Sequence, residues 1–182
     1  MSAAVQKGTL PSPGCEIREA QCAADVETVR ALFTEYAGAL EVNLCFQNFR
    51  QELAGLPGCY APPKGRLLLA WVDREPAGCI GLRSLGEGVC EMKRLYLRPA
   101  FRGRGIGRRL AESVIADASH IGYDRMRLDT LASMKEALAL YESLGFRRIG
   151  PYYHNPSASA VFMELPLDHA SRKRAVGGDR TA

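Results

Sequence analysis

The chain has 182 residues, a length that suits one domain with a full-sized core. Hydrophobic residues make up 47% and charged residues 24%, which argues against wholesale disorder, and a net charge of +4 leaves no bulk polycation to drive nucleic-acid binding. No stretch approaches the roughly 18 apolar residues that cross a bilayer, and the opening MSAAVQKGTLPSPG has no signal-peptide apolar run.

Residues 1–13, with two prolines, read as a flexible tail. A strand begins at Glu16 and Ile17. Asp25 is the expected cap of a helix whose apolar face is Val29, Leu32, Phe33, Tyr36 and Leu40. A shorter helix holds Phe49 and Leu53, and 55–63 is a loop. Three strand signals follow at 67–72, 78–82 and 89–97, with links short enough to imply antiparallel hairpins. The period then changes: Ile106, Leu110, Val114, Ala118 and Ile121 share one helical stripe, which Gly122 ends. Residues 126–130 return to a strand. A strand, a crossover helix and a strand predict a parallel, right-handed unit. Ser133 and Glu136 suggest a capping box for a helix that Gly145 stops. Strands at 146–149 and 161–165 complete an α/β (or α+β) domain over 14–167, built on one mixed, mostly antiparallel sheet of six to seven strands. Residues 168–182 read as a flexible basic tail.

The six cysteines form no CxxC pair and have no zinc spacing. They read as reduced thiols packed as small hydrophobes, and no metal is expected. A soluble cytoplasmic protein with no membrane or nucleic-acid partner follows as the expectation.

Basic residues concentrate between Lys93 and Arg109, where a strand ends, a glycine-rich turn follows and a helix begins. A helix N-terminus has unpaired N–H groups and a partial positive charge. Glycines let a phosphate approach the backbone, and arginines add bidentate contacts. This pattern predicts an anion site for a phosphorylated ligand. The GxxxxGK[ST] pattern is absent. GxGxxG is a near miss: Gly103 and Gly105 fit, Arg108 takes the third glycine's place, and Asp129 stands where a ribose-binding acid would. The preceding three-strand meander is wrong for that fold.

The pattern that fits is R-x-x-G-x-G, as Arg102, Gly105 and Gly107. With the element order and the later A-L-Y-E-S-L-G-F over 139–146, residues 15–167 resemble the GNAT superfamily of N-acetyltransferases. The resemblance implies helices on both sheet faces and parallel fourth and fifth strands that splay apart, often beside a bulge. It implies acetyl-CoA as co-substrate, its pyrophosphate on the turn formed by Arg102, Gly103, Arg104, Gly105, Ile106, Gly107 and Arg108. The pantetheine arm would run beside Leu95, Tyr96 and Leu97. A backbone N–H near Leu95 would serve the carbonyl oxygen.

Transfer to an amine needs loss of the amine's proton, a donor for the developing oxyanion and a proton for the departing thiolate. Glu91 on the fourth strand is the candidate base, and alternation puts it on one face with Lys93, Leu95 and Leu97 unless a bulge shifts the phase. Tyr141 matches the tyrosine that relatives aim at the sulfur. Tyr152, Tyr153 and Asn155, with the segments 41–49 and 60–66, are the candidate acceptor contacts, whereas His154 reads as structural or exposed. The expected function is transfer of an acetyl group to a primary amine, of a small molecule because no accessory domain exists to grip a protein. The alternatives are a protein or peptide N-acetyltransferase and a non-catalytic acyl-CoA sensor. A homodimer is an option that the resemblance leaves open.

Overall fold

The computed structural model describes residues 14–40 and 48–167. The tails expected over 1–13 and 168–182, and most of segment 41–49, lie outside the described residues. The described elements are β1 (Cys15–Glu19), α1 (Ala23–Ala39), α2 (Phe49–Ala54), β2 (Arg66–Val72), β3 (Glu75–Gly86), β4 (Val89–Leu97), α3 (Ile106–Ile121), β5 (Arg125–Leu131), α4 (Lys135–Ser143), β6 (Arg147–Ile149) and β7 (Ala160–Pro166). The strands form one sheet in the order β1-β2-β3-β4-β5-β7-β6. All neighbours are antiparallel except β4 and β5. This is the expected mixed sheet.

Both faces are covered, which is why β2 reads as a nearly continuous apolar run. On one face Leu67 and Leu69 pack with Val29, Leu32 and Phe33 of α1. On the other, Leu68, Ala70 and Val72 pack with Ile106, Leu110 and Val114 of α3, and Leu138 and Tyr141 of α4 join the same core.

The helix starts differ from expectation. Asp25 is not the cap of α1; the cap position is Cys22, without a side-chain hydrogen bond. Asp25 sits buried in the first turn, accepts the Gln21 N–H at 3.1 Å and takes both nitrogens of Arg18, at 2.7 and 2.8 Å. The arginine on β1 outcompetes the capping geometry. Ser133 makes no cap either: α4 starts one residue later, behind Met134. Phe146 is not in β6, but buried against the Tyr141 ring at 5.8 Å. Leu40 follows α1 rather than lying on it.

Two irregularities open the sheet. First, Gly81 pairs with Lys93 but Cys79 with Tyr96, so Arg94 and Leu95 together oppose Ile80. Arg94 has φ 58°, in the left-handed region. This is a bulge of two residues against one, and it shifts the strand's phase. Cys90 and Met92 face the α3 core before it, and Leu95 and Leu97 pack against that core after it. Glu91 and Lys93 therefore face the α1 side, opposite to Leu95 and Leu97, which corrects the simple alternation. Second, the parallel ladder between β4 and β5 holds only for Val89–Arg125, Cys90–Met126 and Glu91–Arg127. Beyond it β4 follows β3 and β5 follows β7 over its whole length. The gap is a wedge within the sheet.

The Arg18–Asp25 contact yields a stability prediction. The Arg18 hydrogen bonds, helped by the Gln21 N–H, outweigh the upward push of burial and hold the Asp25 carboxyl well below the usual carboxylate range. A depressed native pKa stabilises the fold above the unfolded value near 3.9, and that gain fades as pH falls below it. Urea unfolding of Asp25→Ala should show a loss of about 1–2 kcal/mol at pH 7, and the difference from the parent should shrink between about pH 5 and pH 3.

Candidate functional site

The wedge between β4 and β5 leads into a cleft of about 410 Å³. One end is the turn into α3. Arg102 anchors it by donating Nε–H to the Leu97 carbonyl at 3.1 Å. Gly103 and Gly105 lie at φ 73° and 75°, and a Cβ added to either meets nothing within 4 Å. The positive φ favours glycine, and the open space leaves room for a ligand against the backbone. The first helical hydrogen bond is Arg109 N–H to Gly105 C=O, 3.2 Å. Ahead of it, the N–H groups from 103 to 108 find no backbone acceptor among the described residues. A cluster of outward-facing donors at a helix start is the physical requirement for holding an anion.

The middle of the cleft is apolar, with Leu95, Leu97 and Leu140 among its walls. Tyr141 lines it too; burial pushes its phenol pKa well up, as do the nearby Tyr36 and Asp129. It stays a neutral proton donor at ordinary pH.

The far end carries charge. Lys93 Nζ stands 3.1 Å from Asp129 Oδ1 and 3.6 Å from Glu91 Oε1. Asp129 Oδ2 accepts the Tyr153 hydroxyl at 2.7 Å and Asn155 Nδ2 at 3.4 Å. Burial alone would raise the Asp129 carboxyl, but the Lys93 charge, the Tyr153 and Lys93 hydrogen bonds and the Arg94 charge outweigh it. The group is held below its ordinary value and remains an anion. Beside it Arg94 pairs with Glu52 through Nε and Nη2, at 3.0 and 2.6 Å.

Leu95, Leu97, Arg102, Gly103, Gly105, Gly107, Arg108, Tyr141 and Asn155 all line this one cleft. Other predicted positions do not. Tyr96 turns to the α1 side, 6.2 Å from the Tyr36 ring. Arg104 lies over Phe101, and Ile106 is in the core. Glu91 stands behind the cleft with no solvent exposure; Arg83 Nε holds it at 2.6 Å and the Tyr152 hydroxyl at 2.7 Å. Tyr152 and Tyr153 pack edge-on against Phe162 and support the two carboxylates. His154 is exposed. Sequence reasoning missed Lys93, Arg94 and Tyr36 as cleft residues and considered Asp129 only as a ribose acid. No local pattern marked them, because the Arg94 bulge that brings them there is set by the pairing with β3. Among the described residues no cluster of His, Cys, Asp or Glu is placed to hold a metal.

The family model described as "Acetyltransferase (GNAT) family" matches residues 26–146. The chain belongs to the GNAT acetyltransferase family. An uncharacterised N-acetyltransferase of Schizosaccharomyces pombe is 40% identical over 145 residues, covering 79% of this chain and 89% of its own. Among solved structures, a GNAT acetyltransferase of Staphylococcus aureus superposes with a TM-score of 0.71 at 20% identity, covering 85% of this chain and all of its own. An acetyltransferase of Salmonella typhimurium, solved with its cofactor acetyl-CoA, gives 0.63 at 20% identity over 85% of this chain and 94% of its own. Those two likenesses establish the fold. The family match and the N-acetyltransferase relative make this GNAT chain an acyltransferase.

The buried charges of this GNAT domain are interdependent. Removing Glu91 takes away the carboxylate of Arg83 and leaves Lys93 with Asp129 alone, the costly way to break a buried pair. Denaturant unfolding of Glu91→Ala should show a loss of about 3 kcal/mol, and Glu91→Gln, which keeps an acceptor for Tyr152, should lose less.

Proposed function

We propose that this chain moves an acetyl group from acetyl-CoA to a primary amine of a small molecule, by direct transfer in a ternary complex. The observation that carries the reading is a continuity. One cleft joins the donor-rich turn at Gly103 and Gly105 to an ionised carboxylate, Asp129, and a neutral phenol, Tyr141. The turn fits a diphosphate, since its glycine Cα atoms have open space before them. The apolar strip along Leu95 and Leu97 fits the pantetheine arm. When bound, acetyl-CoA supplies an acyl carbon activated as a thioester.

The chain's own residues supply the rest. The bulge breaks the β4 ladder at Arg94 and Leu95, and this reading assigns the Leu95 N–H to the carbonyl oxygen. Asp129 accepts an N–H from the acceptor amine and turns its lone pair toward the acyl carbon. Glu91 acts through Lys93, holding it against Asp129. As the C–N bond forms and the C–S bond breaks, the amine passes one proton by way of Asp129 to water, and Tyr141 gives its proton to sulfur and is reprotonated from water. The small-molecule reading draws on Lys93, Arg94 and Asp129 being themselves buried, with side chains 5%, 2% and 13% exposed. A cleft end built from buried groups suits a compact acceptor better than a protein surface.

Thiol release from acetyl-CoA with a panel of amines tests the proposal. Tyr141→Phe should lower kcat by about 100-fold with little change in KM. Because Asp129 stays ionised and Tyr141 stays protonated, kcat/KM should climb about tenfold per pH unit until the acceptor amine is deprotonated. Absence of thiol release with every amine, while coenzyme A still binds, would leave an acyl-CoA sensor as the better reading.

A further inference from the structure

Arg94 is the residue that the bulge presents to the cleft, and nothing in acyl transfer requires an arginine there. Its backbone is held at φ 58°, against the preference of a non-glycine residue. Its side chain is only 2% exposed and lines the cleft. The Nε–Nη2 edge is committed to Glu52, and Glu52 is itself fixed by the Tyr60 hydroxyl at 2.6 Å. The guanidinium lies 5.8 Å over the Tyr36 ring and 5.1 Å over the Phe49 ring. Two rings and one carboxylate therefore fix its plane. The remaining amino group, Nη1, pairs with no carboxylate among the described residues. Arg94 also hydrogen-bonds the Tyr36 hydroxyl, so a rigid, dry guanidinium with no carboxylate on Nη1 stands in the cleft, and that is the chemistry of a carboxylate receptor.

The charge balance points the same way. Arg83, Glu91, Lys93 and Asp129 form one chain of ion pairs and Arg94 with Glu52 a second pair beside it, three cations against three anions. Such a site is costly to load with a net charge and tolerant of a guest whose charges cancel. Asp129 and Arg94 lie near enough to influence each other. They offer an acceptor for an amine and a donor for a carboxylate in the same cleft.

We infer that the acceptor is a zwitterionic amino acid, its carboxylate held by the Arg94 guanidinium and its amine presented at Asp129. This inference rests on the transferase reading above and narrows its substrate class.

The test compares matched acceptors: free α- and ω-amino acids, the same compounds as carboxamides, and simple alkylamines, each with acetyl-CoA. At least one free acid should be acetylated with kcat/KM about 100-fold above its carboxamide. Arg94→Gln should narrow that preference to below about tenfold, mainly through KM. Because this change strands the Glu52 carboxylate, the double variant Arg94→Gln/Glu52→Gln is run beside it and should narrow the preference equally. Titration calorimetry of the acid and its carboxamide into protein saturated with coenzyme A gives a ratio of Kd values without turnover, and that ratio should fall in parallel. Carboxamides or alkylamines used as well as acids by the parent, or a preference that survives Arg94→Gln, would overturn the inference and leave the transferase standing. No acetylation of any amine, with coenzyme A still bound, would overturn both.

Discussion

The broken pairing between β4 and β5 is the constraint on which the rest of the molecule depends. A parallel ladder that ran the full length of both strands would leave no room between them. Here it holds for three residue pairs and then stops, because the Arg94 bulge turns β4 while β7 keeps β5 in place. The same displacement sets the function of each side of the wedge. It sends Leu95 and Leu97 toward the α3 face, beside the turn at Gly103 and Gly105, and Arg94 toward the α1 face that Lys93 already takes. A change of one residue in register would exchange these roles.

The polar end of the cleft is held by a relay of contacts rather than by single pairs. Arg83 fixes Glu91, Glu91 and Asp129 share Lys93, and Tyr152 and Tyr153 cap the two carboxylates. Each charge has a partner, as buried charge requires. The consequence is a carboxylate at Asp129 that stays ionised and a lysine that is tied rather than free to wander. Rigidity of this kind favours precise placement of an acceptor amine, because little side-chain freedom remains to be lost on binding.

Much of the fold could be read from one-dimensional pattern. Apolar runs located the strands, the stripe from Ile106 to Ile121 located α3, and Gly122 closed it in the left-handed conformation. The glycine turn was legible because glycine and arginine at a strand-to-helix junction have few other uses. The helix caps were not, since Asp25 had a stronger partner in Arg18, seven residues away, and α4 begins behind Met134, one residue past Ser133. The bulge was invisible for a different reason. Nothing in C-E-M-K-R-L-Y-L says which residue is the extra one; that is decided by the partner strand. Glu91, Asp129 and the two tyrosines meet through contacts 24 to 61 residues apart, which no local period encodes.

The central claim is that main-chain amides of the turn before α3 grip a diphosphate. Amide spectra of isotope-labelled protein test it most directly, with coenzyme A and pantetheine added in turn. The account predicts large shifts of the Gly103, Gly105, Ile106 and Gly107 N–H resonances with coenzyme A and small ones with pantetheine, which lacks the diphosphate. Resonances unmoved by saturating coenzyme A, or moved as far by pantetheine, would contradict it.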